Sequence, residues 1–172
     1  MSRPTNGRRE RRSQVTLANA QRGGGQIVSV DEAALRRFAE DYAAAWRSMD
    51  PKRVAAHFAP YGSLAVNDGA PAVGRDAIAA TAQGFYTALP DMQVYCDDLV
   101  IDGPRVEFHW TFTGTNTGPG GTGKAVHISG YEEWTIDDGL IARSLGHYDA
   151  AEYARQLAER VESDRLTFAD AD

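Results

Sequence analysis

The stretch "RVEFHWTFTGTNTGPGGTGKAVHISGYEEWTI", Arg105 to Ile136, admits two incompatible readings. Its middle, "GPGGTGKA" from Gly118 to Ala125, misses a phosphate-binding loop by one residue. Gly118, Gly123 and Lys124 hold the pattern G-x-x-x-x-G-K-[ST], and Ala125 stands where the hydroxyl should be. Such a loop needs a strand before it and a helix after it, because the helix N-terminus and backbone N–H groups cradle the phosphates. Here both flanks alternate with a period of two. Val106, Phe108, Trp110 and Phe112 share one face, and Arg105, Glu107, His109 and Thr111 the other. After Lys124, "AVHISGYEEWTI" is rich in β-branched and aromatic residues and alternates again. The glycine-rich run is therefore expected to be a long hairpin connection between two strands.

Working outward, "MQVYCDDLVIDG" reads as a strand before the turn at Asp102-Gly103. Beyond Ile136, Asp137-Asp138-Gly139 turns the chain into a strand "LIARSLGHYD", and "AAEYARQLAERV" follows as a helix. Upstream of Pro90 the period is helical. Ser29 and Glu32 form a capping box, and Leu35, Phe38, Ala39, Tyr42, Ala45, Trp46 and Met49 make one apolar stripe. Asp50-Pro51 opens a short helix predicted to run through Phe58. A short strand is possible at Ser63 to Val66, and "GRDAIAATAQGFYTAL" is a third helix. Helices first and strands afterwards indicate an α+β domain. A curved, mostly antiparallel sheet packed by the N-terminal helices would make a cone with an internal pocket.

The 172 residues, 42% hydrophobic and 24% charged, suit one soluble domain with a substantial core. No apolar run approaches the roughly 18 residues of a membrane span. A single cysteine, Cys96, excludes an internal disulfide framework and a Cys-based zinc site, and fits a reducing, cytoplasmic setting. Residues 1–26 carry six arginines and one glutamate, net +5; against -6 for the chain this leaves -11 for the remainder. A body that acidic repels nucleic acid and anionic membranes. Residues 1–28 read as a disordered Arg-rich tail, 29–160 as the folded domain and 161–172 as an acidic tail.

The run "ALPDMQVYCDDLVIDGPRVEFHWTFTGTNTG", continued by "GTGKAVHISGYEEWTIDDGLIARSLGHYDAAEYARQL", resembles the SnoaL-like polyketide cyclases of the nuclear transport factor two-like superfamily. Its carriers are "LPD", "GTNTG", "DDGLI" and the closing aspartate followed by "QL". The resemblance spans about Ala34 to Leu157. It implies a curved-sheet cone with a deep apolar pocket, often a homodimer through the sheet. It does not fix an activity. The leading expectation is a cofactor-free enzyme acting on an apolar, oxygenated small molecule by general acid/base catalysis, most concretely aldol-type cyclisation or isomerisation of a polyketide-like carbonyl compound. The alternatives are a non-catalytic ligand-binding or dimerisation module, or an epoxide hydrolase or dehydratase on the same fold. The chain departs from the family at Asn116, where histidine is common, and at Leu145-Gly146, where a Trp-acid pair is common.

Three residues are candidates for proton transfer. Asp149 matches the family's acid/base aspartate near the end of the last strand, and equally suits an N-cap for the helix at Ala150. His147, two residues before it, shares its face in an extended strand. Glu132 is a charge on the apolar face of Val126, Ile128, Trp134 and Ile136, and so needs a partner or a raised pKa. A bulge near Gly130 would instead turn it outward. Tyr42, Trp46, Phe58, Phe85, Tyr86, Phe108, Trp110, Asn116 and Trp134 are candidate pocket residues. His109 and His127 fall on the outer face of the sheet. The histidines at 57, 109, 127 and 147 lack the spacing of a metal site, and no metal or cofactor is expected.

Overall fold

The computed structural model describes residues 32–158. The Arg-rich segment 1–28, the Ser29 half of the capping box and the acidic segment 161–172 lie outside the described residues. The chain divides after Phe38 into two units. In the first, helix α1 (residues 32–47) begins, and Arg36 pairs with Glu32 one turn away at 3.0 Å. The second unit, from Ala39 on, holds the rest of α1 and the remaining described elements.

From Ala39 the predicted stripe is buried: Ala39, Tyr42, Ala45 and Trp46 are at most 6% exposed. Asp50 then caps α2 (Pro51–Ala55), accepting the Lys52 N–H at 3.0 Å, with Pro51 in the first turn. That helix stops short of the predicted end, and Phe58 instead opens β1 (Phe58–Val66), a strand longer than the segment expected. The reason lies far away in the chain. Phe58 pairs with Ile141 in a parallel ladder, Ile141 N–H donates to His57 O at 2.9 Å, and both side chains are fully buried. Long-range pairing and burial override a local helical pattern.

The short β2 (Ala72–Val73) edges the sheet and leads into α3 (Arg75–Ala88). Then come β3 (Gln93–Asp102), β4 (Arg105–Thr115), β5 (Ala125–Asp137), β6 (Leu140–Tyr148) and α4 (Ala150–Leu157). The strand order is β2-β1-β6-β5-β4-β3, antiparallel except for β1 beside β6. The result is a mixed α+β architecture with a curved, unclosed six-stranded sheet.

The period-two alternation of β4 and β5 holds. Val106, Phe108, Trp110, Phe112, Val126, Ile128, Glu132 and Trp134 are all buried. The β4–β5 register runs unbroken from Val106↔Trp134 to Thr115↔Ala125. There is no bulge at Gly130, so Glu132 stays on the inner face. Gly130 is required there: a Cβ would stand 2.3 Å from His147 O and 2.8 Å from the Trp110 indole, which lies across it.

The glycine-rich connection is a latch on α3. Asn116 donates from Nδ2 to Ala88 O at 3.2 Å and accepts the Thr122 N–H on Oδ1 at 2.8 Å. Asn116 N–H closes the loop onto Lys124 O at 2.8 Å. Strand β5 follows Lys124 directly, so no helix N-terminus faces the loop. Among the described residues, no helix is long and apolar enough to cross a membrane.

Candidate active site

Glu132 is 7% exposed, and three elements bring it partners. Trp134, two residues on in β5, donates its indole N–H to Oε2 at 2.8 Å. Ser144, directly opposite Trp134 on β6, donates Oγ–H to the same oxygen at 2.7 Å. Tyr42, 90 residues away on α1, places its hydroxyl 3.2 Å from Oε2 and 3.4 Å from Oε1. Oε2 is thus saturated, whereas Oε1 has only one long contact.

Burial raises the Glu132 pKa above its ordinary 4.5, although the bonds from Trp134, Ser144 and Tyr42 work the other way. The donors are neutral dipoles, so they stabilise the anion without cancelling its charge. Burial is also the main cause that pushes the Tyr42 phenol well above its ordinary value, with the Glu132 charge adding to it. Tyr42 therefore remains a neutral donor. The resulting carboxyl, its pKa raised by burial, is suited to giving or taking a proton.

Glu132 forms part of the wall of an apolar pocket lined by Trp46, Leu64, Phe85, Phe108, Trp110 and Tyr148, among others. The space open to the centre of a water-sized sphere is ≈ 50 Å³. This exceeds the roughly 10–15 Å³ that a cavity needs to hold one water, so the pocket has room for water or a small organic fragment. The interior is not packed solid.

Of the expected pocket residues, Trp46, Phe85, Phe108 and Trp110 line it. Tyr42 and Trp134 sit behind it as donors to Glu132. Three expectations need correction. Phe58 is fully buried in the sheet core, Tyr86 donates its hydroxyl to Trp46 O at 2.9 Å, and Asn116 is the loop latch. None of these is among the lining side chains.

The structure also separates the three proton-transfer candidates. Asp149 is exposed and caps α4, accepting the Glu152 N–H at 2.9 Å. His147 faces the outer side of the sheet, its Nε2 2.9 Å from Glu133 Oε2. Neither is among the side chains that line the pocket, although the sequence offered both as proton-transfer groups. The inward set of β6 is Ser144, Gly146 and Tyr148, so alternation puts His147 on the opposite face. Ser144 and Tyr148 were not among the candidates. Their signal was a period of two opposite Glu132 and Trp134.

Among the described residues, no group of three or more His, Cys, Asp or Glu could hold a metal ion. Burial pushes the Cys96 thiol up to about 11, which leaves it protonated and a poor nucleophile at neutral pH.

Several solved structures share this architecture. A protein with a ketosteroid isomerase-like fold from Catenulispora acidiphila DSM 44928, solved with trimethylamine, superposes with a TM-score of 0.64 at 17% identity, over 71% of this chain and 92% of that one. TsrD from Streptomyces laurentii does so with a TM-score of 0.64 at 25% identity, over 73% and 96%. A candidate SnoaL-like polyketide cyclase from Jannaschia sp. CCS1 gives 0.60 at 17% identity, over 73% and 89%. No curated protein sequence matches the chain. The family model of SnoaL-like polyketide cyclases matches residues 36–157, most of the folded chain, and the chain belongs to that family.

Proposed function

We propose that the protein is a general acid/base enzyme in which Glu132 moves a proton at a carbon next to a carbonyl group. The most concrete form is aldol-type cyclisation or isomerisation of a polyketide-like carbonyl compound. The observation that carries this reading is a buried carboxylate on the wall of an apolar pocket, with one oxygen held by three donors and the other in a single contact at 3.4 Å.

The chemistry balances without an electron carrier. Glu132 Oε1 takes the α-proton, and the C–H electron pair becomes the C=C bond of an enolate whose charge rests on oxygen. The enolate carbon then bonds to a second carbonyl carbon of the same molecule, and Glu132 returns the proton to the alkoxide. In an isomerisation the proton returns to a different carbon. Holding both reacting carbons together could contribute about 7–11 kcal/mol when orientation is good. General-base catalysis itself contributes about 10²–10⁴-fold.

Epoxide opening is less well supported, since no arginine among the described residues lines the pocket to complete an acid-base-Arg network. Arg47 is engaged with Val94 O at 2.6 Å, and Arg105 lies on the outer face. The pocket's small size supports a second reading, a small-ligand-binding module without turnover. Deuterium uptake at the α-carbons of cyclohexanone in D₂O, followed by NMR, separates the two. Enzyme-catalysed exchange that Glu132→Gln abolishes supports catalysis; binding without exchange above the buffer rate sinks it.

A further inference from the structure

Gly146 lies inside β6, where the fold itself does not call for a glycine. It is buried, lines the pocket, and stands directly across the ladder from Glu132. A glycine within a strand weakens it, and often marks a bulge, the close approach of another backbone, or the close approach of a ligand. The first reason fails: Gly146 pairs with Glu132 on one side and Val66 on the other, and both ladders are regular at this point. Its backbone also lies outside the left-handed region, so a side chain would bring no strain.

The second reason fails as well. A Cβ on Gly146 would meet Ala65 O at 3.5 Å, Glu132 Cγ at 3.9 Å and Val66 Cα at 4.0 Å, all ordinary van der Waals distances. Gly130 on the neighbouring strand is the opposite case, with His147 O at 2.3 Å. Packing requires Gly130 and does not require Gly146. The place of the missing side chain is therefore beside Glu132 and Val66, which both line the pocket. Glu132 Cγ carries the carboxyl carbon, so an atom in that place touches the stem of the carboxylate. Leu64, Val66, Trp110 and Tyr148 make the wall around it largely apolar, which favours carbon over a charged group there.

We propose that Gly146 is a specificity-determining residue: its missing side chain keeps space beside Glu132 for a carbon of the ligand, so that the side chain at 146 limits how bulky a ketone the pocket takes. This rests on the acid/base reading of the same pocket and adds the shape of the substrate. The ligand class is a cyclic or α-branched ketone, whose carbon skeleton fills the gap, rather than a slender one that leaves it empty.

The test compares wild type, Gly146→Ala and Gly146→Val as full-length ¹⁵N-labelled proteins, with cyclohexanone and acetone as probes. Binding is followed on the indole N–H signals of the chain's three tryptophans, which single Trp→Phe variants assign. Wild type should bind cyclohexanone more tightly than acetone. In Gly146→Ala the ratio of the two affinities should fall by about tenfold or more, the discrimination that one methylene commands in an apolar pocket. Gly146→Val should lower it further. Gly146→Ala should unfold at or above the wild-type temperature, because alanine loses less chain entropy than glycine on folding. That readout separates a gap kept for a ligand from a glycine kept for the fold. An unchanged affinity ratio, a clearly lower unfolding temperature for Gly146→Ala, or no binding of cyclohexanone to wild type would each overturn the proposal. Failure of the catalytic reading looks different: no α-proton exchange in wild type, while Gly146→Ala still lowers the affinity ratio.

Discussion

Glu132 and Glu133 are neighbours in β5 and face opposite sides of one sheet. Inside, Glu132 meets neutral donors and apolar walls, and burial raises its pKa. Outside, Glu133 lies 2.9 Å from His147 and 3.4 Å from Arg105. Beside it on β4, Glu107 is held below its ordinary value, first by His109 at 3.0 Å and then by Arg105 at 2.5 Å. Tyr131 stacks between His109 and His147 at 5.4 and 4.7 Å. The same side-chain chemistry, in Glu132 and Glu107, is thus driven in opposite directions on the two faces of one sheet. Cations and water favour the carboxylate; dipoles in a dry cavity do so less well than the bulk water they replace.

The hardest blow to this contrast is Glu132→Gln. The amide keeps the size and can still accept from Trp134 and Ser144, so the fold should persist while α-proton exchange falls by about 10²–10⁴-fold. Retained exchange in a folded variant would remove the inner carboxylate from the mechanism.

Gly130→Ala attacks the geometry rather than the charge. Its methyl would collide with His147 O and the Trp110 indole. A loss of about 1–3 kcal/mol is expected in urea unfolding, with displacement of the Trp110 indole signal. Unchanged stability would mean that the sheet tolerates what the register forbids.

Asp149→Ala should cost about 1 kcal/mol through loss of the α4 cap, whereas Asp149→Asn, itself a good cap, should cost little. Both should keep α-proton exchange within a few-fold of wild type. A collapse of exchange in Asp149→Asn would restore the family-based assignment.

The pH dependence of stability sharpens the comparison by sign. Glu132 has its folded pKa raised, so its contribution is fullest below the ordinary 4.5 and is lost as pH rises through the folded value. Glu107 has its folded pKa lowered, so its contribution exists above the ordinary value and is lost as pH falls through the folded one. Thermal unfolding between acid and neutral pH should therefore show Glu132→Gln gaining on wild type as pH rises. Parallel curves would contradict the raised pKa.

Smallest of all should be Glu133→Gln. Its partners are surface groups, and exposed ion pairs contribute about 0–1 kcal/mol, less at high salt. Calorimetry at two ionic strengths should find a small, salt-sensitive change and unaltered exchange.

Much of this was legible in the chain. Alternation from Val106 to Phe112 and from Val126 to Trp134 identified the strands, ruled against a phosphate cradle, and put Glu132 among apolar side chains. Such periods are local properties of backbone geometry, and any pair of residues two apart in a strand obeys them. The same rule, applied to Ser144, Gly146 and Tyr148, places His147 outside. A sequence motif near Asp149 outweighed it.

What needed the tertiary structure was convergence. Tyr42 and Ser144 reach Glu132 from 90 and 12 residues away, through the packing of α1 and the β5–β6 register. Phe58 left its helix because Ile141 offered a ladder partner. The Trp110 indole can lie where it does only because Gly130 stands directly across from it. Local pattern determines which face a side chain takes; only long-range pairing decides what it meets there, and a carboxyl's pKa depends on what it meets.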